Sequence, residues 1–178
     1  MIPTIRRATR ADAVPLAELA ARTFADTYAA YNDPADMAAH MTGKYGEAKQ
    51  AEELADPAAT YLLAEQDGRL LAYAYVVAGR SPGGIELEAP VELMRFYVVR
   101  SWHGRGLAQR LMDACVEEAR RRGGRTLWLA VWRENPRAIA FYRKAGFRLA
   151  GATVFRLGSQ VQDDHVMAMD LEPTGAAG

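Results

Sequence analysis

The chain has 178 residues, of which half are hydrophobic, and its 22 basic and 22 acidic side chains leave a formal net charge of zero. That balance supports a buried core and leaves no bulk field to attract nucleic acid or a membrane surface. The amino terminus lacks the apolar stretch of a signal peptide, no run is long enough to span a bilayer, and the lone Cys115 cannot close an internal disulfide; a cytoplasmic protein is expected.

In chain order, "TIRRATRAD" reads as a short first strand turning polar, with Asp12 placed to cap the helix that follows. That helix carries Leu16, Leu19, Ala20 and Phe24 on one face. Residues 34–55 are helical but less regular, broken near Gly43 and Gly46, and would cover the substrate side. "TYLLAEQDGRLLAYAYVVAG" is two apolar runs joined at Asp67-Gly68, a hairpin signal. "VELMRFYVVR" is the strongest strand, and strict alternation would put Glu92, Met94, Phe96 and Val98 on one face. A helix over 105–122 stops at Gly123-Gly124; then come the strand "RTLWLAVW", the helix "ENPRAIAFYRKAG", and two closing strands, "FRLAGATVFRLG" and "DHVMAMDL". The strand–helix–strand unit over 91–131 predicts two parallel strands, and the hairpin beside it makes the sheet mixed. The expectation is one α/β (α+β) domain over 1–172, with 173–178 as a frayed tail.

Two stretches carry chemistry. In "RSWHGRGLAQRLM", Gly104 and Gly106 open the long helix, where the first N–H groups lack intrahelical partners and the dipole is positive. Glycines there let a phosphate approach the backbone, although a tight loop relieving strain would use the same residues. A nucleotide P-loop is excluded, because Leu107-Ala108 stand where Lys-Ser or Lys-Thr is required. In "ENPRAIAFYRKAGF", Asn135 is a natural N-cap, Pro136 opens the helix and Gly146 ends it. Ala138, Tyr142 and Ala145 share a face, leaving room around the Tyr142 hydroxyl; a core tyrosine bonded to backbone is the competing reading.

Together these stretches resemble the GNAT superfamily of acyl-CoA-dependent N-acyltransferases. The loop pattern of that family is Arg or Gln, two residues, Gly, one residue, then Gly or Ala, met here by His103 (a departure), Gly106 and Ala108. Its second pattern is matched by Asn135, Ala138, Phe141, Tyr142, Lys144, Gly146 and Phe147. "FADTY", "YLLAEQDGRLLAYAYV" and "FRLGSQVQDDHVMAMDL" are further similar to the PaiA-like branch, associated with polyamine acetylation.

The resemblance implies a mostly antiparallel sheet of about seven strands, with a splayed central parallel pair, flanked by about four helices. It implies acetyl-CoA as co-substrate, with no metal. Phe96, Tyr97 and Val98 would hold the pantetheine arm, and N–H groups of Gly104, Arg105, Gly106, Leu107, Ala108 and Gln109 the pyrophosphate. Asn135 would contact the cofactor, His103 would keep only the backbone role in the loop, and Tyr142 would sit near the thioester sulfur. A homodimer is also suggested.

Acetyl transfer to an amine requires a neutral nucleophile, a stabilised oxyanion and a protonated leaving thiolate. A free alkylamine titrates near pH ~10, so a base is needed at neutrality. Tyr142 suits the acid, and an N–H near Val98 the oxyanion. Glu92 is the chosen base, acting through water because a carboxylate near ~4.3 is too weak to deprotonate an ammonium directly; a salt-bridged strand glutamate is the alternative.

Other candidates read as structural. Cys115 lies on the apolar helix face, the histidines His40, His103 and His165 lack metal-ligand spacing, and the Arg120–Arg122 and Arg125 run reads as a solvated helix end. Glu86, Glu88, Asp163 and Asp164 would supply an acidic surface if they converged. The primary expectation is an N-acetyltransferase acting on a small amine such as spermidine or spermine. A protein amino group, an amine antibiotic, or a non-catalytic CoA sensor stands as the alternative.

Overall fold

The computed structural model describes residues 2–172; the tail expected over 173–178 lies outside them. Its seven strands are β1 (Thr4–Arg7), β2 (Ala59–Gln66), β3 (Arg69–Ala78), β4 (Pro90–Val98), β5 (Thr126–Trp132), β6 (Arg148–Leu157) and β7 (Gln160–Asp170). They form one sheet in the order β1-β2-β3-β4-β5-β7-β6. The helices are α1 (Ala13–Tyr28), α2 (Pro34–Lys44), α3 (Glu47–Ala55), α4 (Leu107–Arg121) and α5 (Pro136–Ala145). Five helices replace the expected four because Gly46 breaks the 34–55 segment, while Gly43 stays helical inside α2.

The apolar stripes choose the layers. Leu16, Leu19 and Ala20 of α1 pack on Tyr61, Leu63, Tyr73 and Tyr75. On the other face, Leu107, Leu111, Met112 and Cys115 of α4 and Ile139 of α5 pack on Leu127, Leu129, Val131 and Met167. Cys115 is the buried thiol that its place in the stripe implies. The β2–β3 turn has Asp67 at φ 52° and Gly68 at φ 73°, so both central residues are left-handed, as a two-residue hairpin requires. Asp12 does not cap α1 with its side chain. Its carboxylate instead accepts from the Thr9 N–H at 2.7 Å and from the Arg6 guanidinium at 2.8 and 2.9 Å.

The feature that makes a site is the central parallel pair. β4 and β5 are in register only at Pro90–Thr126, Val91–Leu127 and Glu92–Trp128, and then part. At the same point the β3–β4 register slips, Tyr75 opposing Arg95 and Val76 opposing Leu93, so Met94 forms a bulge. A bulge adds a residue to one strand and sharpens its twist. It also resets the alternation: Met94 packs on the α1 face, whereas Phe96 and Val98 pack on the α4 face. Strict period-two reading therefore fails across this strand.

Candidate active site

A cleft of about 540 Å³ occupies the gap between the diverging strands, walled by Leu93–Val98 of β4 and Leu129–Trp132 of β5. The Val99 N–H bonds to the Leu71 carbonyl at 2.9 Å on the β3 side. By alternation, Phe96 and Val98 turn their backbone groups to the gap, while those of Tyr97 belong to the β3 ladder. The edge of β5 facing β4 is likewise unpaired over 129–132. An extended amide-bearing chain can bond to such edges as an added strand.

At one end of the cleft lie His103, Gly104 and Ala108. Gly104 has φ 73° and Gly106, the residue preceding α4, φ 78°. No atom lies within 4 Å of where a Cβ on either would stand, so the backbone is open to a ligand. The Arg110 N–H already bonds to the Gly106 carbonyl at 3.2 Å. The N–H groups of Leu107, Ala108 and Gln109 therefore remain the free donors of the first turn. His103 Nε2 lies 2.7 Å from the Val98 carbonyl, tying the loop to the end of β4. Arg105 stacks its guanidinium over Trp102 at 5.5 Å, and Gln109 spends its side chain on Asp113 at 2.9 Å, so their predicted contribution is confined to backbone.

Helix α5 supplies the opposite wall. Asn135 Oδ1 accepts from the Ala138 N–H at 3.2 Å, Pro136 follows it, and Gly146 ends the helix at φ 108°. These are the caps expected from "ENPRAIAFYRKAGF". Asn135, Ala138, Phe141 and Tyr142 all line the cleft. The Tyr142 ring is held by Phe96, Phe141 and Phe147 at centroid distances of 6.3, 5.5 and 5.7 Å. Burial pushes its phenol well above the usual tyrosine range, and Tyr28 and Cys115 push the same way. A phenol held so is neutral and a hydrogen-bond donor.

Glu92 does not line this cleft. It stands at the closed end of the splay, where its Oε2 lies 3.0 Å from Arg80 Nε. Its carboxyl is pushed up by burial, with Arg80 and Arg95 opposing. Nor do the four acids converge. Glu86 and Glu88 are exposed before β4, and Asp163 is exposed on the sheet face opposite the buried Asp164. The arginine run is not simply solvated, since Arg121 and Arg122 hold Glu118 at 2.6 and 2.9 Å. Among the described residues, no three His, Cys, Asp or Glu side chains form a metal site.

Residues not anticipated for the site come from α1. Thr23, Asp26 and Tyr28 close the cleft on the side away from α4, together with Trp132. "FADTY" contains two of them, but nothing in that stretch alone shows that the end of α1 meets the splay.

The sequence profile of the Acetyltransferase (GNAT) family matches residues 21–147. An uncharacterized N-acetyltransferase of Mycobacterium tuberculosis is 36% identical over 160 residues, covering 90% of this chain and 98% of the relative. The N-alpha-acetyltransferase RimI of the same organism is 33% identical over 149 residues, covering 83% of this chain and 80% of the relative. The PaiA N-acetyltransferase of Thermoplasma acidophilum, crystallised with coenzyme A, superimposes with a TM-score of 0.78 at 21% identity over 96% of this chain and 99% of that one.

The chain belongs to the GNAT family of N-acetyltransferases. Acetyl-CoA is its acetyl donor, and the free strand edges and open glycine cradle fit a pantetheine arm and a pyrophosphate. Any side chain at Gly106 would be strained at φ 78°. Gly106→Ala should therefore let the free loop relax out of the left-handed region and raise the Kd for CoA about tenfold, since binding must restore a conformation that costs ~1–2 kcal/mol for a residue with a Cβ. Calorimetric titration with CoA checks this, and unchanged affinity would remove the cradle from the binding site.

Proposed function

We propose that the chain transfers the acetyl group of acetyl-CoA to a primary amine by direct attack in a ternary complex, with a polyamine such as spermidine or spermine as acceptor. The observation that carries this reading is the open splay, with a glycine cradle at one end and Tyr142 at its wall. Acetyl-CoA supplies an acyl group activated as a thioester. The Tyr142 phenol, kept neutral by burial, donates its proton toward the departing sulfur. The N–H of Phe96 or Val98 donates to the acyl oxygen from the strand edge.

Glu92 acts in this proposal as a base through water, because it lies outside the cleft lining and is paired with Arg80. Glu92→Gln should then lower kcat at pH ~7 and lose little near pH ~10, where the free amine is already neutral. An equal deficit at every pH would make Glu92 a structural residue.

The resemblance of "FADTY", "YLLAEQDGRLLAYAYV" and "FRLGSQVQDDHVMAMDL" to the PaiA-like branch motivates a polyamine acceptor, and the likeness to the N-alpha-acetyltransferase RimI supports a second reading, in which a protein amino terminus is acetylated. A cytoplasmic homodimer accompanies either. The deciding experiment measures free thiol released from acetyl-CoA with spermidine, spermine, aminoglycosides and peptides. Turnover with spermidine or spermine supports the first reading, and turnover with peptides alone replaces it with the second.

A further inference from the structure

Beyond Tyr28 and Trp132 the sheet face that packs on α1 carries two buried acceptors with no partner among the described residues, Asp164 Oδ1 and Gln162 Oε1. Both residues are 8% exposed. They are two apart on β7, so they project from the same face. Asp164 opposes Trp132 of β5 and Thr153 of β6, and Gln162 opposes Phe155. Gln162 gives its Nε2 to Asn32 Oδ1 at 3.1 Å, which leaves its amide oxygen as the unpaired atom. A buried acceptor left unpaired costs ~1–3 kcal/mol, and a carboxylate more. Folding alone gives no reason to keep two side by side.

Aromatic residues neighbour them, Trp132 across the sheet from Asp164 and Phe155 from Gln162. Tyr28 lies 6.3 Å from Trp132 and 6.5 Å from Phe155, and Tyr31 lies 5.1 Å from Trp132. Tyr28 and Trp132 also wall the cleft, so the two acceptors stand next to the reaction space, behind those rings. Tyr31, packed against Trp132, is 63% exposed. Two oxygens without donors beneath aromatic faces match a group with several N–H donors, a positive charge and no acceptor, which is an alkylammonium.

We propose that Asp164 and Gln162, beneath Tyr28, Tyr31 and Trp132, form a subsite for a second, non-reacting cationic nitrogen of the acceptor. This rests on the reading of the chain as an amine acetyltransferase, and it selects acceptors with two amino groups over those with one. The reacting nitrogen must be neutral, so a buried carboxylate serves the other nitrogen, which stays charged. Burial and two neighbours act on the carboxylate. Burial pushes the Asp164 carboxyl up to about 6, Asp163 adds to that, and Arg133 opposes it. Above that range the charge is present; burial raises the Tyr28 phenol, a hydrogen bond with Tyr97 opposes that, and the Asp164 charge adds to the rise.

The test titrates CoA-saturated protein with spermidine and with propylamine by calorimetry at pH ~8, for wild type and Asp164→Asn. Wild type should prefer spermidine over propylamine at least tenfold, and Asp164→Asn should erase that preference while its CoA affinity stays intact. The variant keeps the shape and removes an unpaired buried charge, so its melting temperature should not fall below that of wild type. Wild type that binds neither amine, or a variant that keeps the preference, overturns the subsite. Should Asp164→Asn fail to fold, Gln162→Leu provides the same comparison through the second acceptor. Thiol release measured in parallel separates the two ideas: binding without turnover refutes the transfer reaction and leaves the subsite standing.

Discussion

Replacing Tyr142 with phenylalanine should lower kcat for acetyl transfer by about 10²–10⁴-fold, the range of one well-placed general acid. The phenylalanine ring retains the contacts with Phe96, Phe141 and Phe147, so the wall of the cleft keeps its shape. Only the hydroxyl is lost. Because burial has already pushed the phenol above its usual range, the wild-type group is protonated throughout the working pH range and titrates out of it only in strong alkali. The deficit should therefore be flat with pH, unlike that expected for Glu92→Gln. Calorimetry should give an acetyl-CoA Kd within about threefold of wild type, since a group acting in the transition state contributes little to ground-state binding. Unchanged turnover would remove Tyr142 from the chemistry and return weight to a chain that holds CoA without using it.

How much of this was legible in the residues depends on how local each signal is. The α5 caps, Asn135, Pro136 and Gly146, are set by backbone chemistry within a dozen positions, and the helix lies where they mark it. The Asp67-Gly68 turn is equally local. The glycine cradle was readable because residues with a Cβ rarely adopt those φ values, although the helix begins at Leu107 and not at Arg105. The Met94 bulge was not readable. A bulge is a disagreement between two strands in the number of residues they place opposite one another, and the β4 sequence alone contains one side of that comparison.

The same limit governs the charges. Asp163 and Asp164 are adjacent and chemically alike, yet strand parity exposes one and buries the other under Tyr28 and Trp132. Arg95 stands beside the bulge, and no motif in the sequence singles it out. It lies in a buried cluster with Glu53 at 2.9 Å and Tyr61 at 2.6 Å, whose partners come from α3 and β2. Long-range pairing decides such roles, and single-sequence periodicity carries no record of it.

The largest stability effect falls on Glu118, where that kind of pairing is densest. Its side chain on α4 is 3% exposed and accepts from Arg7 at 2.6 Å, Arg121 at 2.6 Å and Arg122 at 2.9 Å. Thr60 donates a further bond at 2.6 Å. These donors join the edge strand β1, strand β2 and the end of α4. Burial alone would raise the Glu118 carboxyl, but the hydrogen bonds from Arg121, Thr60, Arg7 and Arg122 outweigh it and bring it down to about 2. An unfolded glutamate titrates near ~4.3. Folding thus gains from this carboxylate at any pH above ~4.3, and the gain disappears as pH falls from there toward about 2. Glu118→Gln should cost about 3 kcal/mol at pH ~7, the low end for breaking a buried pair, because Arg7 and Arg121 are half exposed and can return to water. Urea unfolding at pH ~7 and at pH ~3 checks both parts. The gap between variant and wild type should shrink markedly at the lower pH, and a gap that stays constant would assign the cost to lost packing instead of lost charge.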